Sequence, residues 1–137
     1  MEDFVPFDLA KKLREKGFRE ECIAYYHTDG ELLYNRDQYR GGNYKSLLRS
    51  YNSLPKNPIG CEQIDAPTIS QVLKWLRKEK IYIVPTFCVD QNDNGYWDFR
   101  LISTMDGMLI YDEIKNRYNS YEQAALAGIE YVLNKLI

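Results

Sequence analysis

The chain has 137 residues, of which 45% are hydrophobic and 28% are charged, and its net charge at pH 7 is −2. A chain of this length fits one domain whose core is large enough to fold without a metal ion or disulfide bonds. A slightly acidic protein has no overall positive field that would attract nucleic acid or an anionic membrane. The N-terminus has acidic residues before any basic one and predicts no signal peptide. No apolar run approaches the ~18 residues of a membrane span.

The three cysteines, Cys22, Cys61 and Cys88, are an odd number and lack the C-x-x-C spacing of metal and redox motifs. Free thiols that are scattered in this way are typical of a reducing compartment. The sequence therefore predicts a cytoplasmic protein without disulfide bonds.

Apolar residues at helical spacing predict a short N-terminal helix over 6–16. Gly17 is the expected residue just beyond its end, in a Schellman motif where Phe18 contacts Leu13. Two short strands, 22–27 and 31–34, are predicted next.

An Asp-Gly pair between these strands is a strong hairpin signal. If Asp29 and Gly30 form a two-residue turn, Tyr25 faces Tyr34 and His27 faces Leu32. That register is the expectation for this hairpin.

Glycine, proline, asparagine and serine interrupt the pattern over 35–65, which predicts an irregular insert with a short helix at 44–51. Within it, 36–56 holds five basic residues against one acidic residue, a local net charge of +4. Basic residues interleaved with tyrosines are the ingredients of single-strand nucleic-acid binding, although a solvated loop with tyrosines packed on the core has the same composition. The candidate ligand- or partner-binding residues are Arg36, Tyr39, Arg40, Tyr44, Lys45 and Arg49.

The strongest local pattern is a helix over 68–80 followed by a strand over 81–89. Thr68 is a good N-cap, and Gln71 stands three residues later, as in a capping box. The apolar stripe of this helix is Ile69, Val72, Leu73 and Leu76. Pro85 cannot donate to a ladder, so its strand should be an edge or carry a bulge.

The turn that follows decides the register of the second hairpin. A three-residue loop at 93–95, with Gly95 in the left-handed position of a bulged turn, pairs Val89 with Phe99 and Phe87 with Leu101. A two-residue turn would instead set the apolar face of one strand beside the polar face of the other. We expect the three-residue loop, because it produces one continuous apolar face.

The C-terminal part predicts a strand over 108–111 and a last helix over 120–136. Ser120 and Gln123 repeat the capping-box spacing at the start of that helix. Gly128 in the helix interior is unfavourable by about 1 kcal/mol relative to alanine, which indicates close packing at that position.

These elements predict one α+β domain over 1–137. Its expected architecture is an antiparallel sheet of four to five strands with both long helices and the short N-terminal helix packed on it. The long helices should cover an apolar face that includes Ile83, Phe87, Val89 and the return strand.

Candidate chemical sites are few. Residues 90–95 match the first half of a calcium loop, but its twelfth position is Leu101 rather than glutamate, which favours a polar hairpin turn. His27 is the single histidine, so zinc and iron sites lack ligands. A nucleophilic pair of His27 with Cys22 or Cys88 stays open as an alternative. No cofactor and no metal ion is predicted.

Three phrases, GFREECIAYY, APTISQVLKWLRKEK and YNSYEQAALAGIEYVLNKLI, resemble small proteins encoded by prophages and mobile elements of gut anaerobes. The helix–strand–strand–helix order from Thr68 to Ile137 is also similar to the phage ABA-sandwich domain. The resemblance implies a cytoplasmic, phage-associated protein and carries over no catalytic residue.

The leading hypothesis is a non-enzymatic accessory protein that binds an unknown protein partner or itself, without a membrane. The alternative is a nucleic-acid-binding protein that uses 36–56. A third class is a small hydrolase with a cysteine nucleophile.

Overall fold

A computed structural model describes the chain, with helices and strands in an α+β arrangement. The described residues are 3–35, 39–40, 43–44, 48, 50–53, 63–105 and 108–137. The chain divides into two compact units, Phe4–Thr68 and Met1–Asp3 with Ile69–Ile137, called here the N-terminal and C-terminal units. The prediction of one domain over 1–137 stays a prediction.

The described elements are three α-helices, one 3-10 helix and eight strands. In chain order they are α1 (Phe7–Glu15), β1 (Ala24–Tyr26), β2 (Leu32–Tyr34), β3 (Tyr39–Arg40), β4 (Asn43–Tyr44), the 3-10 helix (Tyr51–Ser53), β5 (Ile64–Asp65), α2 (Ile69–Lys78), β6 (Ile81–Val89), β7 (Gly95–Met105), β8 (Met108–Tyr118) and α3 (Tyr121–Lys135).

The strands form two antiparallel three-stranded sheets and one two-stranded ribbon. The orders are β2-β1-β5 in the N-terminal unit, β6-β7-β8 in the C-terminal unit, and β3-β4 in the ribbon. The expected single sheet of four to five strands is therefore wrong. That prediction placed the strands in one sheet, whereas the observed pairing divides them into the two sheets and the ribbon. The α+β class is confirmed.

The N-terminal helix ends as predicted. Gly17 adopts a φ of +95° and the N–H of Phe18 donates to the Leu13 carbonyl over 2.9 Å, which is the Schellman bond. The helix packs on β5 within its own unit, so the prediction that all three helices cover one sheet is wrong.

The first hairpin differs from its predicted register by one residue. Tyr25 pairs with Leu33, not with Tyr34. The loop has three residues rather than two, because Gly30, with a φ of +90°, closes it as the last loop residue. The N–H of His27 donates to the Glu31 carbonyl over 2.9 Å across this loop.

Part of the predicted irregular insert is regular. At its end, β5 pairs with β1, so that Tyr25 lies opposite Asp65. A two-residue strand is too short for a periodic signal, and its partner lies far away in sequence. Half of the predicted helix at 44–51, namely 45–47 and 49, lies outside the described residues. Tyr44 belongs to β4 and Tyr51 begins the 3-10 helix.

In the C-terminal unit, α2 and α3 pack on one face of the sheet. α2 begins at Ile69, directly after the predicted cap Thr68, and contacts β6 and α3, while α3 contacts all three strands. Both helices end one or two residues short of the predicted bounds. β8 extends to Tyr118, well beyond the predicted 108–111.

The start and middle of α3 follow the sequence closely. Ser120 Oγ accepts from the N–H of Gln123 over 3.1 Å, and Gln123 Oε1 accepts from the N–H of Asn119 rather than of Ser120. A Cβ added at Gly128 would lie 2.6 Å from Cγ2 of Ile83. The predicted close packing at Gly128 is thus confirmed.

The second hairpin has a register that neither of the two predicted loops gives. Val89 pairs with Gly95 and Phe87 with Trp97, so the pairs expected from a loop at 93–95 are wrong. The partner of each residue moves by an even number of positions, which keeps the apolar residues on the predicted face.

The reason lies in the side chain of Asp90. Its Oδ1 accepts from the N–H groups of Asn92 and Asn94 over 2.8 and 3.0 Å. The N–H of Asp90 also donates to the Asn94 carbonyl over 3.0 Å, so these bonds organise a three-residue loop over 91–93. The positive φ falls on Asp93, at 61°, and not on Gly95. An Asx turn therefore overrides the glycine-based expectation.

Candidate functional site

In the loop that resembles a calcium site, both carboxylate oxygens of Asp90 already have hydrogen-bond partners. Asp90 Oδ2 lies 2.9 Å from Nη1 of Arg117, and its other oxygen accepts the two loop N–H groups. The Arg117 hydrogen bond, followed by the backbone ones, holds the pKa of Asp90 below its ordinary value. A guanidinium thus stands where a cation would bind, and the described residues contain no cluster of three or more metal-ligating side chains.

Neither His27 nor Cys22 resembles a catalytic group. His27 Nδ1 contacts only its sequence neighbours, Thr28 Oγ1 at 3.4 Å and Asp29 Oδ1 at 3.5 Å, among the contacts that the structure describes. Burial raises the pKa of the Cys22 thiol, and the charges of Asp65 and Glu20 raise it further. A thiol in such surroundings stays protonated and is a poor nucleophile.

A buried aspartate organises part of the N-terminal unit through hydrogen bonds. The carboxylate of Asp65, fully buried, accepts from the N–H groups of Tyr51 and Asn52 over 2.7 and 3.0 Å. In return, Asn52 Oδ1 accepts from the N–H of Asp65, and Asn52 Nδ2 donates to the Phe18 carbonyl. Burial nevertheless raises the pKa of Asp65. The carboxylate also accepts from Ser50 Oγ over 3.3 Å. Two backbone N–H groups and one hydroxyl of the same unit therefore hold it, and the network is structural.

The predicted binding residues of 36–56 fall into two groups. Arg36, Lys45 and Arg49 lie outside the described residues. The other three, Tyr39, Arg40 and Tyr44, lie in the β3-β4 ribbon, where Tyr39 pairs with Tyr44 and Arg40 with Asn43. The backbone therefore brings the two tyrosine positions opposite each other across the ribbon.

The candidate site that the structure does show is the edge strand β6. It pairs with β7 on one side, and no other strand pairs with it in the part of the chain that the structure describes. The edge position that Pro85 predicted is confirmed. The strand has the sequence IYIVPTFCV and contains no charged residue.

The hydrogen bonds at both ends of the hairpin show which backbone groups face outward. The N–H of Thr104 donates to the Lys80 carbonyl, and the N–H of Asp90 donates to the Asn94 carbonyl, each over 3.0 Å. Antiparallel pairs alternate between bonded and non-bonded positions, so the even-numbered residues of β6 bond to β7. The odd-numbered residues direct their N–H and C=O groups to the open edge; they are Ile81, Ile83, Phe87 and Val89, with Pro85 supplying a carbonyl only.

The side chains along β6 change from buried to exposed. Ile81 and Ile83 are 3% and 9% exposed, whereas Phe87 and Val89, on the same face, are 56% and 58% exposed. The prediction that the helices cover Phe87 and Val89 is therefore wrong. α3 begins at Tyr121, and the hairpin extends past that end, a length difference that no local pattern encodes.

The exposed Phe87 side chain is held in place by its neighbours. Its ring meets the Trp97 ring edge to face at 5.4 Å between centroids, and Trp97 meets Tyr121 at 5.7 Å. A Cβ at Gly95 would lie 2.5 Å from Phe87 Cζ, so the ring lies directly over the Gly95 backbone. Phe87 is thus an exposed but ordered apolar anchor.

The opposite edge of the same sheet is built differently. β8 carries four charged residues, Asp112, Glu113, Lys115 and Arg117. Its pairing with β7 is interrupted by a bulge between Trp97 and Phe99. Charges and bulges are the usual devices that prevent a strand edge from pairing with another chain. Only Pro85 serves that purpose in β6.

Comparison of the chain with protein-family models, curated proteins and solved structures found no match. None of the described helices is both long enough and apolar enough to cross a membrane.

Proposed function

We propose that this chain is a non-enzymatic interaction protein that receives an extended strand of another polypeptide along the open edge of β6. The observation behind the proposal is the uncharged nine-residue strand that ends in the exposed Phe87 and Val89. In strand addition, backbone hydrogen bonds supply affinity and alternate side chains supply specificity. β6 offers both kinds of contact on its open side.

The magnitude of such an interaction is adequate for a specific complex. Covering the exposed parts of Phe87 and Val89 is worth about 1 kcal/mol each. Each inter-strand hydrogen bond adds about 0.5–1.5 kcal/mol net. Association itself is opposed by several kcal/mol of lost freedom, so we expect a dissociation constant of about a micromolar.

A cytoplasmic location and an accessory role in a phage or mobile element belong to the same proposal. Their support is the resemblance of the three sequence phrases and the free thiols of Cys22 and Cys88. The genomic neighbourhood of the coding sequence tests this part. A locus without phage or mobile-element genes would contradict it.

Site-specific photo-crosslinking tests the interaction surface. A photoreactive benzoylphenylalanine in place of Phe87 should trap a discrete partner when cells that express the full chain are irradiated. The matched control carries the same residue in place of Leu136, an apolar side chain that is 41% exposed at the end of α3. Equal trapping at both positions, or none at 87, would show that β6 is not the binding surface.

The nucleic-acid hypothesis is kept as a second candidate because of the local +4 charge of 36–56 and the pairing of Tyr39 with Tyr44. It requires that the chain shifts a single-stranded oligonucleotide at low salt and that Arg40→Glu with Arg49→Glu abolishes the shift. A shift that survives this double change, or no shift, rules it out.

A further inference from the structure

The two ends of β6 carry opposite charges. Lys78 and Lys80 flank Glu79 before the strand, which leaves this end with a net positive charge. Asp90 and Asp93 follow the strand and, with Arg117 paired to Asp90, leave the other end with a net negative charge. The strand between them is uncharged. A second strand with the same charge order would repel it in parallel orientation and attract it in antiparallel orientation. A second copy of β6 has this charge order and meets the requirement.

We propose that the partner strand is β6 of a second copy of this chain, paired antiparallel about a two-fold axis at Pro85, so that two three-stranded sheets form one six-stranded sheet. The inference rests on the proposed function, because it uses the same open edge, and it names the occupant.

The register follows from the outward-facing backbone groups. With Pro85 at the axis, the whole strand is paired: Ile81 of one copy faces Val89 of the other, and Ile83 faces Phe87. These four residues all direct their N–H and C=O groups to the edge, which allows about eight hydrogen bonds between the copies. Pro85, which has no N–H, faces Pro85 of the second copy.

This register also matches the burial along the strand. The exposed half of β6, with Phe87 and Val89, comes to lie beside the covered half of the partner strand, with Ile83 and Ile81. Residues directly opposite in an antiparallel pair share a face, so Phe87 lands on the face that the partner's helices cover. Because α2 packs on β6 and on α3, it lies on the β6 side of the helix layer. It therefore borders the Phe87 ring of the second copy.

Charge complementarity selects the same arrangement. Lys80 of one copy stands opposite Asp90 of the other, and the exposed Asp93 lies in the same loop. The Asp90 carboxylate is 14% exposed and bound to Arg117, so Lys80 joins an existing ion pair, not an isolated acid. A parallel pairing would place the lysine ends together and the aspartate ends together.

Disulfide trapping tests the pairing and its register at once. Tyr82 would face the native Cys88 of the second copy at a non-hydrogen-bonded position, where Cα atoms lie about 4.5 Å apart. That distance fits a disulfide, which needs roughly 4.4–6.8 Å. Within one chain the two positions are about 20 Å apart along the strand and cannot bond. Under oxidised glutathione, Tyr82→Cys should give covalent dimer.

Two controls make the result specific. Tyr82→Cys combined with Cys88→Ser should give no dimer alone but should crosslink when it is mixed with the wild-type chain. Val84→Cys faces Thr86 in the proposed register, so it should crosslink to Cys88 at least about tenfold less. Two results would overturn the register: crosslinking by Val84→Cys equal to that by Tyr82→Cys, or a covalent dimer of Tyr82→Cys that forms without Cys88.

Sedimentation equilibrium of the full chain supplies a readout independent of cysteine chemistry. The wild type and Leu136→Lys should dimerise, and Val89→Lys should raise the dissociation constant at least about tenfold, because a lysine would lie beside Ile81. A wild type that stays monomeric at concentrations well above micromolar overturns self-pairing. If the residue at position 87 then still traps a different protein, the proposed function stands; if it traps nothing, both fall.

Discussion

Whether replacement of Gly128 by alanine raises or lowers the free energy of unfolding depends mainly on one contact. Replacement of this residue by alanine would place a Cβ 2.6 Å from Cγ2 of Ile83 and 3.2 Å from Cδ2 of Phe99. Both neighbours are buried and belong to the sheet beneath the helix. Real carbon atoms do not approach as closely as the first distance, so the helix or the strand must move.

Two effects oppose each other at this position. Alanine favours the helix by about 1 kcal/mol relative to glycine. Overpacking of a filled core is unfavourable by about 1–3 kcal/mol. Ile83 is β-branched and its Cγ2 is fixed by a stiff χ1, so it cannot swing aside as the end of a flexible side chain would. We therefore expect Gly128→Ala to lower the free energy of unfolding by about 1 kcal/mol.

Urea unfolding followed by circular dichroism measures the effect, and two further variants separate its terms. Ala127→Gly, one position earlier in α3, should lower stability by about 1 kcal/mol and so calibrates helix propensity. Ile83→Ala removes the clashing methyl group. In that background Gly128→Ala should become stabilising by at most about 1 kcal/mol, since the clash with Ile83 is gone and only the 3.2 Å contact with Phe99 opposes the helix term. The same destabilisation in both backgrounds would refute the contact argument.

Three further predictions concern titrating groups. Burial raises the pKa of Asp65 above 3.8, so the carboxyl group keeps its proton to a higher pH in the folded state than in the unfolded state. The stability of the wild type relative to Asp65→Asn should therefore fall as pH rises from 3.8 through the folded pKa. Urea unfolding at several pH values measures this trend. The Arg117 bond lowers the pKa of Asp90, so Asp90→Asn should lower the thermal midpoint at pH 7, and this difference should vanish as pH falls below 3.8; a constant difference would contradict the pairing. Iodoacetamide should modify the half-exposed Cys88 in the folded protein and reach the buried Cys22 only after unfolding, so equal rates would revive a reactive Cys22.

Local signals were sufficient where the structure depends on a few neighbouring residues. Gly17 and Phe18 end α1 as predicted, and Ser120 begins α3, because a cap involves atoms within one helical turn. The sequence also located the edge strand through Pro85, since a missing N–H is a property of that residue alone. These features need no knowledge of the rest of the fold.

The errors arose where a distant or competing contact decides the outcome. The Asp90 side chain sets the register of the second hairpin through an Asx turn, whereas the glycine signal alone predicts a loop at 93–95. Asp65 is buried and bonded to residues more than ten positions away. The residues next to it in the sequence therefore do not predict that it is buried. The predicted binding residues of 36–56 stay a prediction.

The two edge strands of the C-terminal sheet are protected against pairing to different degrees. A protein that had to keep both edges unpaired would need the same protection on each, yet charges and a bulge stand on β8 while β6 has one proline. Proline at the centre of a strand removes one donor and leaves the outward groups on either side free to bond. It therefore lowers the strength of pairing without preventing it. Together with an ordered Phe87 ring that no helix covers, this asymmetry fits an edge that pairs reversibly with one partner strand. A charged substitution at Val89 should weaken that pairing at least about tenfold while leaving the fold intact.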